Sequence, residues 1–288
     1  MRAVKLVIVA LLLAGGLFRS AIAQTNWPSV YGINFGPYLC GKQPGDGVTE
    51  PELERLLGII DQAGITQRLR TYGADDGLEK IPGIVHDNSL GFNFTDVAMG
   101  TWIAGADPDN PLNHPQLQTL VTQANGGNVQ TAIVGNEKIL NNRFSAADMV
   151  KFVNAIKTEV SAPVTTAEPF GHWFNGDENG AVVKPEMASL LQAVEKVFVN
   201  AYPFHRGTHI DAAAPQLAAL YDAASDAVHQ LGANKTVVIA ETGWPTDGQQ
   251  KGAAFPSLAN QRQYLESTAR LRNPLGTLEH KRDFQTIF

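Results

Sequence analysis

From residue 30 onward, short runs rich in β-branched and apolar residues alternate with stretches of helical period. The runs are 30–38, 65–73, 91–103, 129–137, 162–169, 196–204 and 236–245, which makes seven strand candidates. Between them lie segments whose apolar residues recur at three and four positions. Pro51 opens a stretch with Leu53, Leu56, Leu57 and Ile60 on one face, stopped by Gly64. Ser145 reads as an N-cap with Asp148 in the first turn, followed by Met149, Val153, Ile156 and Val160 at one-face spacing. Pro215 is expected to begin another helix that Gly232 ends, and 259–272 a last one. The strand ends, near 37, 73, 103, 137, 168, 203 and 241, recur at the length of one βα unit, which requires a parallel sheet.

A doubly wound sheet and a (β/α)8 TIM-type barrel both give this alternation. The glycine fingerprint that cradles phosphates in the nucleotide folds is missing after the first run. The barrel gains from the polar ends of the runs. Each is apolar in its body and turns polar or aromatic at its C-terminal end: Asn34 and Tyr38, Arg70 and Tyr72, Trp102, Asn136 and Glu137, Glu168, Asn200 and Tyr202, Glu241 and Trp244. In a barrel those ends converge on one mouth, where that fold places its catalytic groups.

Composition narrows the chemistry. The 288 residues carry a formal charge of -6 and no run of Lys or Arg, so neither nucleic acid nor an anionic membrane surface has electrostatic support as a partner. Cys40 is the only cysteine, which excludes an internal disulfide and a CxxC metal site. His205 and His209 are four apart, but Pro203 and Gly207 place them in a loop, so no metal or other cofactor is expected. At the start, Arg2 and Lys5 precede the apolar run Leu6 to Leu13, and Ala21-Ile22-Ala23 offers a cleavage site before Gln24. Residues 1–23 are therefore expected to be a signal peptide and 24–288 one catalytic domain. The released product would be secreted, periplasmic or cell-wall associated, monomeric, and without a membrane anchor.

The rim offers three carboxylates (Glu137, Glu168, Glu241), one arginine, several amides and aromatic faces. No Ser/His/Asp or Cys/His set favours acyl transfer. Paired carboxylates with aromatic platforms suit a glycosidic bond. One carboxyl protonates the leaving oxygen, the other attacks or stabilises the oxocarbenium-like centre, and rings cover the apolar faces of pyranoses.

These residues sit in segments that resemble a known family. VGNE (134–137) and ETGWP (241–245) are similar to the two catalytic motifs of glycoside hydrolase family 17, the β-1,3-glucanase and glucanosyltransferase family with a (β/α)8 barrel. GINFGPY, RTYG (70–73), TTAEP (165–169) and NAYPF (200–204) resemble its first, second, fifth and sixth strands. The resemblance spans roughly residues 30–265. It implies Glu137 as proton donor and Glu241 as nucleophile of a retaining mechanism, acting on a β-glucan polysaccharide or oligosaccharide. It further implies that Asn136 contacts the sugar 2-hydroxyl and that Arg70 and Tyr202 orient Glu241 and favour its charged form. Tyr38, Trp102, Trp173 and Trp244 become candidate sugar platforms, with Trp173 equally readable as a barrel-end plug; Tyr72 and Asn200 are further substrate-side groups, and Glu168 takes a structural or substrate hydrogen-bonding role.

The tail departs from that pattern. After the helix 259–272 the family's eighth strand should follow, but residues 273–288 end in FQTIF as their one short apolar run. The barrel is thus expected to be incomplete at its eighth strand. Three functions stay open: hydrolysis of β-1,3-glucan, transglycosylation by the same glutamates, and glycan binding without turnover.

Overall fold

The computed structural model describes residues 29–38, 41–87 and 89–271. The expected signal peptide, Cys40 and the FQTIF segment lie outside them. Seventeen elements follow one another: β1 (Ile33–Asn34), α1 (Glu50–Ala63), β2 (Arg68–Arg70), α2 (Ile81–His86), β3 (Asp96–Thr101), α3 (Pro115–Asn125), β4 (Thr131–Asn136), α4 (Ala146–Glu159), β5 (Val164–Pro169), α5 (Phe170–Trp173), β6 (Phe174–Asp177), β7 (Gly180–Val183), α6 (Ala188–Ala193), β8 (Lys196–Asn200), α7 (Ile210–Gln230), β9 (Thr236–Glu241) and α8 (Leu258–Arg270). Seven strands form one parallel sheet in the order β1-β2-β3-β4-β5-β8-β9, so the expected α/β alternation holds and each strand is joined to its neighbour by a crossover.

Helices α1 and α4 begin where side chains and backbone cap one another. Asp148 N–H donates to Ser145 Oγ at 3.1 Å and Ser145 N–H to Asp148 Oδ2 at 3.0 Å, a reciprocal cap for α4. Met149, Phe152, Val153 and Ile156 are then buried on one side of it. For α1, Thr49 N–H donates to Glu52 Oε2 at 2.9 Å, and Gly64 closes the helix at φ 63°. The helix expected to begin at Pro215 instead begins at Ile210, with the proline inside it. The apolar row Ala213, Ala214, Leu217, Ala218 and Tyr221 is buried on both sides of Pro215, so packing outweighs the one backbone bond that the proline cannot make.

The hairpin β6–β7, inserted after β5, has no counterpart among the seven expected runs. Its strands are short, and the turn residues Asp177, Glu178, Asn179 and Gly180 occupy much of it.

Side chains alternate across the sheet. On β3, Val97 and Met99 join the clusters beneath the helices, whereas Ala98 joins a small group with Ile133, Ala167, Phe198, Val238 and Ala240 on the opposite face. That second face is concave. The two edges of the sheet meet through side chains, because Asn34 Nδ2 on β1 and Arg70 Nη1 on β2 both donate to the Ala240 carbonyl of β9, at 3.2 and 3.1 Å. Among the described residues the sheet is thus a curled, barrel-like wall of seven strands with β1 and β9 at its edges.

Close packing near the mouth yields a first test. A Cβ at Gly100, in β3, would stand 2.4 Å from the Thr71 carbonyl oxygen, a backbone atom unable to rotate away. Gly100→Ala should lower the melting temperature, by roughly 1–3 kcal/mol of stability. Gly83→Ala in α2, where nothing lies within 4 Å, should leave it unchanged or slightly raised in a thermal melt.

Candidate active site

The end of β4 is bent. The register shifts between Ile133 and Asn136, and Gly135 and Glu137 both have left-handed φ values, 76° and 53°. A side chain at Gly135 would collide with Lys138 Cγ, 2.9 Å from an added Cβ. Glu137 is not a glycine, so its conformation carries strain, held by its N–H donating to Ala167 O on β5 at 2.8 Å. The bulge re-aims the two residues after it, a recurrent device beside reactive sites.

Arg70 is fully buried at the end of β2. Its Nη1 donates to Glu241 Oε1 at 2.8 Å and to Asn34 Oδ1 at 3.0 Å, and its Nη2 to Asn136 Oδ1 at 3.0 Å. Burial works against the guanidinium's charge, but Glu241, together with Tyr72 and Tyr202 beside it, outweighs burial, so the pKa of Arg70 is raised. Tyr202, just past β8, donates its hydroxyl to Glu241 Oε2. Burial, and then the Glu241 charge, push the phenols of Tyr202 and Tyr72 above their usual range.

Asn200 links the two glutamates. Its Nδ2 lies 3.0 Å from Glu137 Oε1 and 3.1 Å from Glu241 Oε1. Two oxygens that share one nitrogen at those distances are no more than about 6 Å apart, short of the ~6.5–9.5 Å of inverting glycosidases. Burial raises the pKa of Glu137, and the Glu241 charge adds to this, while the Asn200 hydrogen bond opposes it. The pair therefore offers a carboxyl biased toward its protonated form beside a carboxylate held by a cation, an amide and a phenol.

Other expected site residues divide. Trp102 stands at the rim, 49% exposed, with the Lys138 ammonium 3.2 Å from its ring centroid. Tyr38 is half-buried and its hydroxyl donates to Asp76 Oδ2 at 2.9 Å, tying down the loop after β1. Trp244 is not a platform: it is 1% exposed, its Nε1 donates to Phe255 O at 2.9 Å, and Phe204 and Tyr264 pack on it. Trp173 is likewise a plug, donating to Phe198 O at 2.9 Å. Both indoles sit near the mouth, but a neighbouring carbonyl satisfies each N–H, so the ring is free to be buried whole.

Glu168 is also removed from the substrate side. It is fully buried and accepts N–H bonds from Ile139 at 3.0 Å and Leu140 at 3.3 Å, which anchors the segment behind Glu137. Asn200, 1% exposed, faces the carboxyls and not the opening. Lys138 was not singled out in the sequence, where it reads as an ordinary charge after VGNE. It is 2% exposed, and burial lowers its pKa to about 8 against the opposing pull of Glu168. Among the described residues no three His, Cys, Asp or Glu side chains could hold a metal ion, and no helix is long and apolar enough to cross a membrane.

Comparison with known proteins places the chain and its fold. The family described as BtgE/BtgC glycoside hydrolase domain matches residues 32–278. A probable beta-glucosidase btgE of Aspergillus flavus is 27% identical, over 80% of this chain and 35% of its own length, so the chain spans about a third of that relative. Two solved structures share the fold. The glycoside hydrolase family 17 beta-1,3-glucanosyltransferase of Rhizomucor miehei has a TM-score of 0.68 and 22% identity, covering 89% of this chain and 85% of that one. An endo-laminarinase of Formosa Hel1_33_131 has a TM-score of 0.69 and 18% identity, covering 84% and 74%.

Glu168 leads to a prediction about stability and pH. Burial raises its pKa from 4.5 to about 7, despite the backbone N–H groups that favour its charged form. Between those two values the folded chain holds a proton that the unfolded chain has released, so stability falls as pH rises through this window. The loss is on the order of 3 kcal/mol at most. Glu168→Gln should flatten the decline in melting temperature between roughly pH 4.5 and pH 7, compared with wild type in parallel melts.

Proposed function

Because the chain belongs to the BtgE/BtgC glycoside hydrolase domain family, we propose that it acts on β-1,3-linked glucan with retention at the anomeric carbon, Glu137 serving as acid/base and Glu241 as nucleophile. The observation that carries this reading is the Asn200 nitrogen shared by both carboxyls, which limits their separation to about 6 Å, close to the ~5–5.5 Å of retaining enzymes. Glu241 attacks the anomeric carbon while Glu137 gives its proton to the departing glycosidic oxygen. Glu137 then takes a proton from the incoming water or sugar hydroxyl as that oxygen displaces Glu241.

The surrounding residues support those roles. Arg70 and Tyr202 each hydrogen-bond one oxygen of Glu241 and leave it little freedom to turn away. Asn136 keeps its Oδ1 toward Arg70 and Asn200, which leaves its amide hydrogens for a sugar hydroxyl. Trp102, with one face on Lys138 and half its surface open, is the best-placed sugar platform among the expected aromatics.

Two further readings rest on sequence pattern alone. Residues 1–23 act as an export signal, and the protein works as a monomer outside the cytoplasm on cell-wall or other external glucan.

Incubation with laminari-oligosaccharides, followed by chromatography, tests the reaction. Shortened products are expected from hydrolysis and lengthened ones from glucanosyl transfer; an unchanged oligosaccharide would leave binding without turnover. Glu137→Ala should lower the rate by roughly 10²- to 10⁴-fold. Azide should rescue it with retained configuration, whereas with Glu241→Ala it should give the inverted glycosyl azide. A melting curve should accompany Glu241→Ala, since the substitution also strips Arg70 of its carboxylate. If either variant keeps more than about a tenth of wild-type rate, the assignment is wrong.

A further inference from the structure

Asn200 was expected to touch substrate, yet the structure turns it away from the opening. It is 1% exposed at the end of β8, and its Nδ2 faces Glu137 Oε1 at 3.0 Å, Glu241 Oε1 at 3.1 Å and Asn136 Oδ1 at 3.2 Å. Three acceptors thus surround one amide nitrogen. Its Oδ1 is buried with no hydrogen-bond partner. A buried amide oxygen without a donor is a cost that a folded chain normally avoids. Turning the amide over would not help, because Oδ1 would then face three oxygens and Nδ2 would have no acceptor. The orientation is therefore imposed by the carboxyls, at the expense of the amide's own oxygen.

We infer that Asn200 is a positioning residue that ties the two glutamates to each other through its single amide nitrogen and so sets the carboxyl spacing on which retention depends. This rests on the retaining reading above and deepens it. Arg70 and Tyr202 hold Glu241 alone, and the Ala167 carbonyl holds only the backbone of Glu137. Asn200 is the side chain seen bonded to both. Its own backbone is fixed, since Asn200 pairs with Glu241 in the β8–β9 ladder and with Pro169 in the β5–β8 ladder. The donor is thus fixed to the same strand end as Glu241, and a short side chain reaches from it to Glu137. An asparagine suits this task because an amide stays neutral throughout, whereas Arg or Lys there would add a charge beside Arg70.

The charged and titratable groups facing the pair are Arg70 at the end of β2, Tyr72 after it, Lys138 after β4, Glu168 on β5 and Tyr202 after β8. Only Asn200 among the hydrogen-bond donors touches Glu137's carboxyl among the described residues, and it favours the charged form of that group. Its removal therefore moves Glu137's titration to higher pH.

The test compares wild type with Asn200→Ala and Asn200→Ser. Carboxyl NMR should show Glu137 titrating at higher pH in the alanine variant, with the alkaline limb of the kcat/KM profile moving the same way. On laminari-oligosaccharides kcat should fall at least ten-fold while KM stays within about two-fold, because a buried side chain that spaces the glutamates makes no contact with substrate. The serine variant keeps a donor on a shorter arm and should lie between the two. If Glu137 titrates unchanged in a folded alanine variant, or if KM rises with kcat intact, the inference is overturned. Should the alanine variant not fold, the serine variant carries the same two readouts. A wild type inert toward the oligosaccharide would sink the retaining reading, while the titration of Glu137 would still decide whether Asn200 bonds its carboxyl.

Discussion

The site is organised around one buried cation. Arg70 is wholly enclosed, and a guanidinium does not shed its charge to escape burial, so every neighbour must be arranged to meet it. Its two terminal nitrogens reach Asn34 on β1, Asn136 on β4, and the Ala240 carbonyl and Glu241 carboxylate on β9. Breaking a buried pair of this kind by removing one partner typically costs ~3–5 kcal/mol, because the survivor is left uncompensated. The same contacts that neutralise Arg70 therefore fix Glu241 and Asn136 in place. Stability and site geometry are coupled here, and a substitution at Arg70 would disturb both.

Much of this was legible in the sequence because strand ends carry a distinctive signal. An apolar run that closes on Asn-Glu, or on Glu followed by Thr-Gly-Trp, leaves its polar residues few places to go except the mouth. What the sequence does not show is whether a mouth residue faces outward. Trp244 and Trp102 both follow strands, yet one is buried and the other half exposed. The difference lies in Phe255, whose carbonyl takes the Trp244 N–H from eleven residues away and lets the ring close over Tyr264. Whether Glu168 is structural or faces substrate is hidden for a similar reason. Its partners are backbone N–H groups of Ile139 and Leu140, which no side-chain pattern advertises. Lys138 escaped notice because burial of a lysine depends on an aromatic face supplied by a different strand.

Several unfavourable features meet at the mouth. Glu137 has a left-handed backbone, Gly135 beside it admits no side chain without a clash, and the buried Asn200 Oδ1 and Arg70 Nε lack partners. Such costs also occur outside the site, since Asp76 and Asn142 are left-handed too and Arg68 Nε and His114 Nδ1 are likewise buried without a hydrogen-bond partner. What distinguishes the ends of β2, β4 and β8 is that several of them meet where side chains must be aimed, as at a functional site.

The sequence leads to the expectation of an incomplete eighth strand, whose place would be between β9 and β1. Yet the upper end of β9 is already joined to β1 and β2, because Asn34 and Arg70 both bond the Ala240 carbonyl. The residue that follows is Glu241, so the carboxylate is held from across the gap by side chains of the opposite edge. Its other contacts come from Asn200 and Tyr202, at and just beyond the end of β8. The positions of both glutamates are therefore set by strands within the seven described, and whatever fills the gap lower down would act on the stability of the sheet's edges more than on the spacing of the carboxyls.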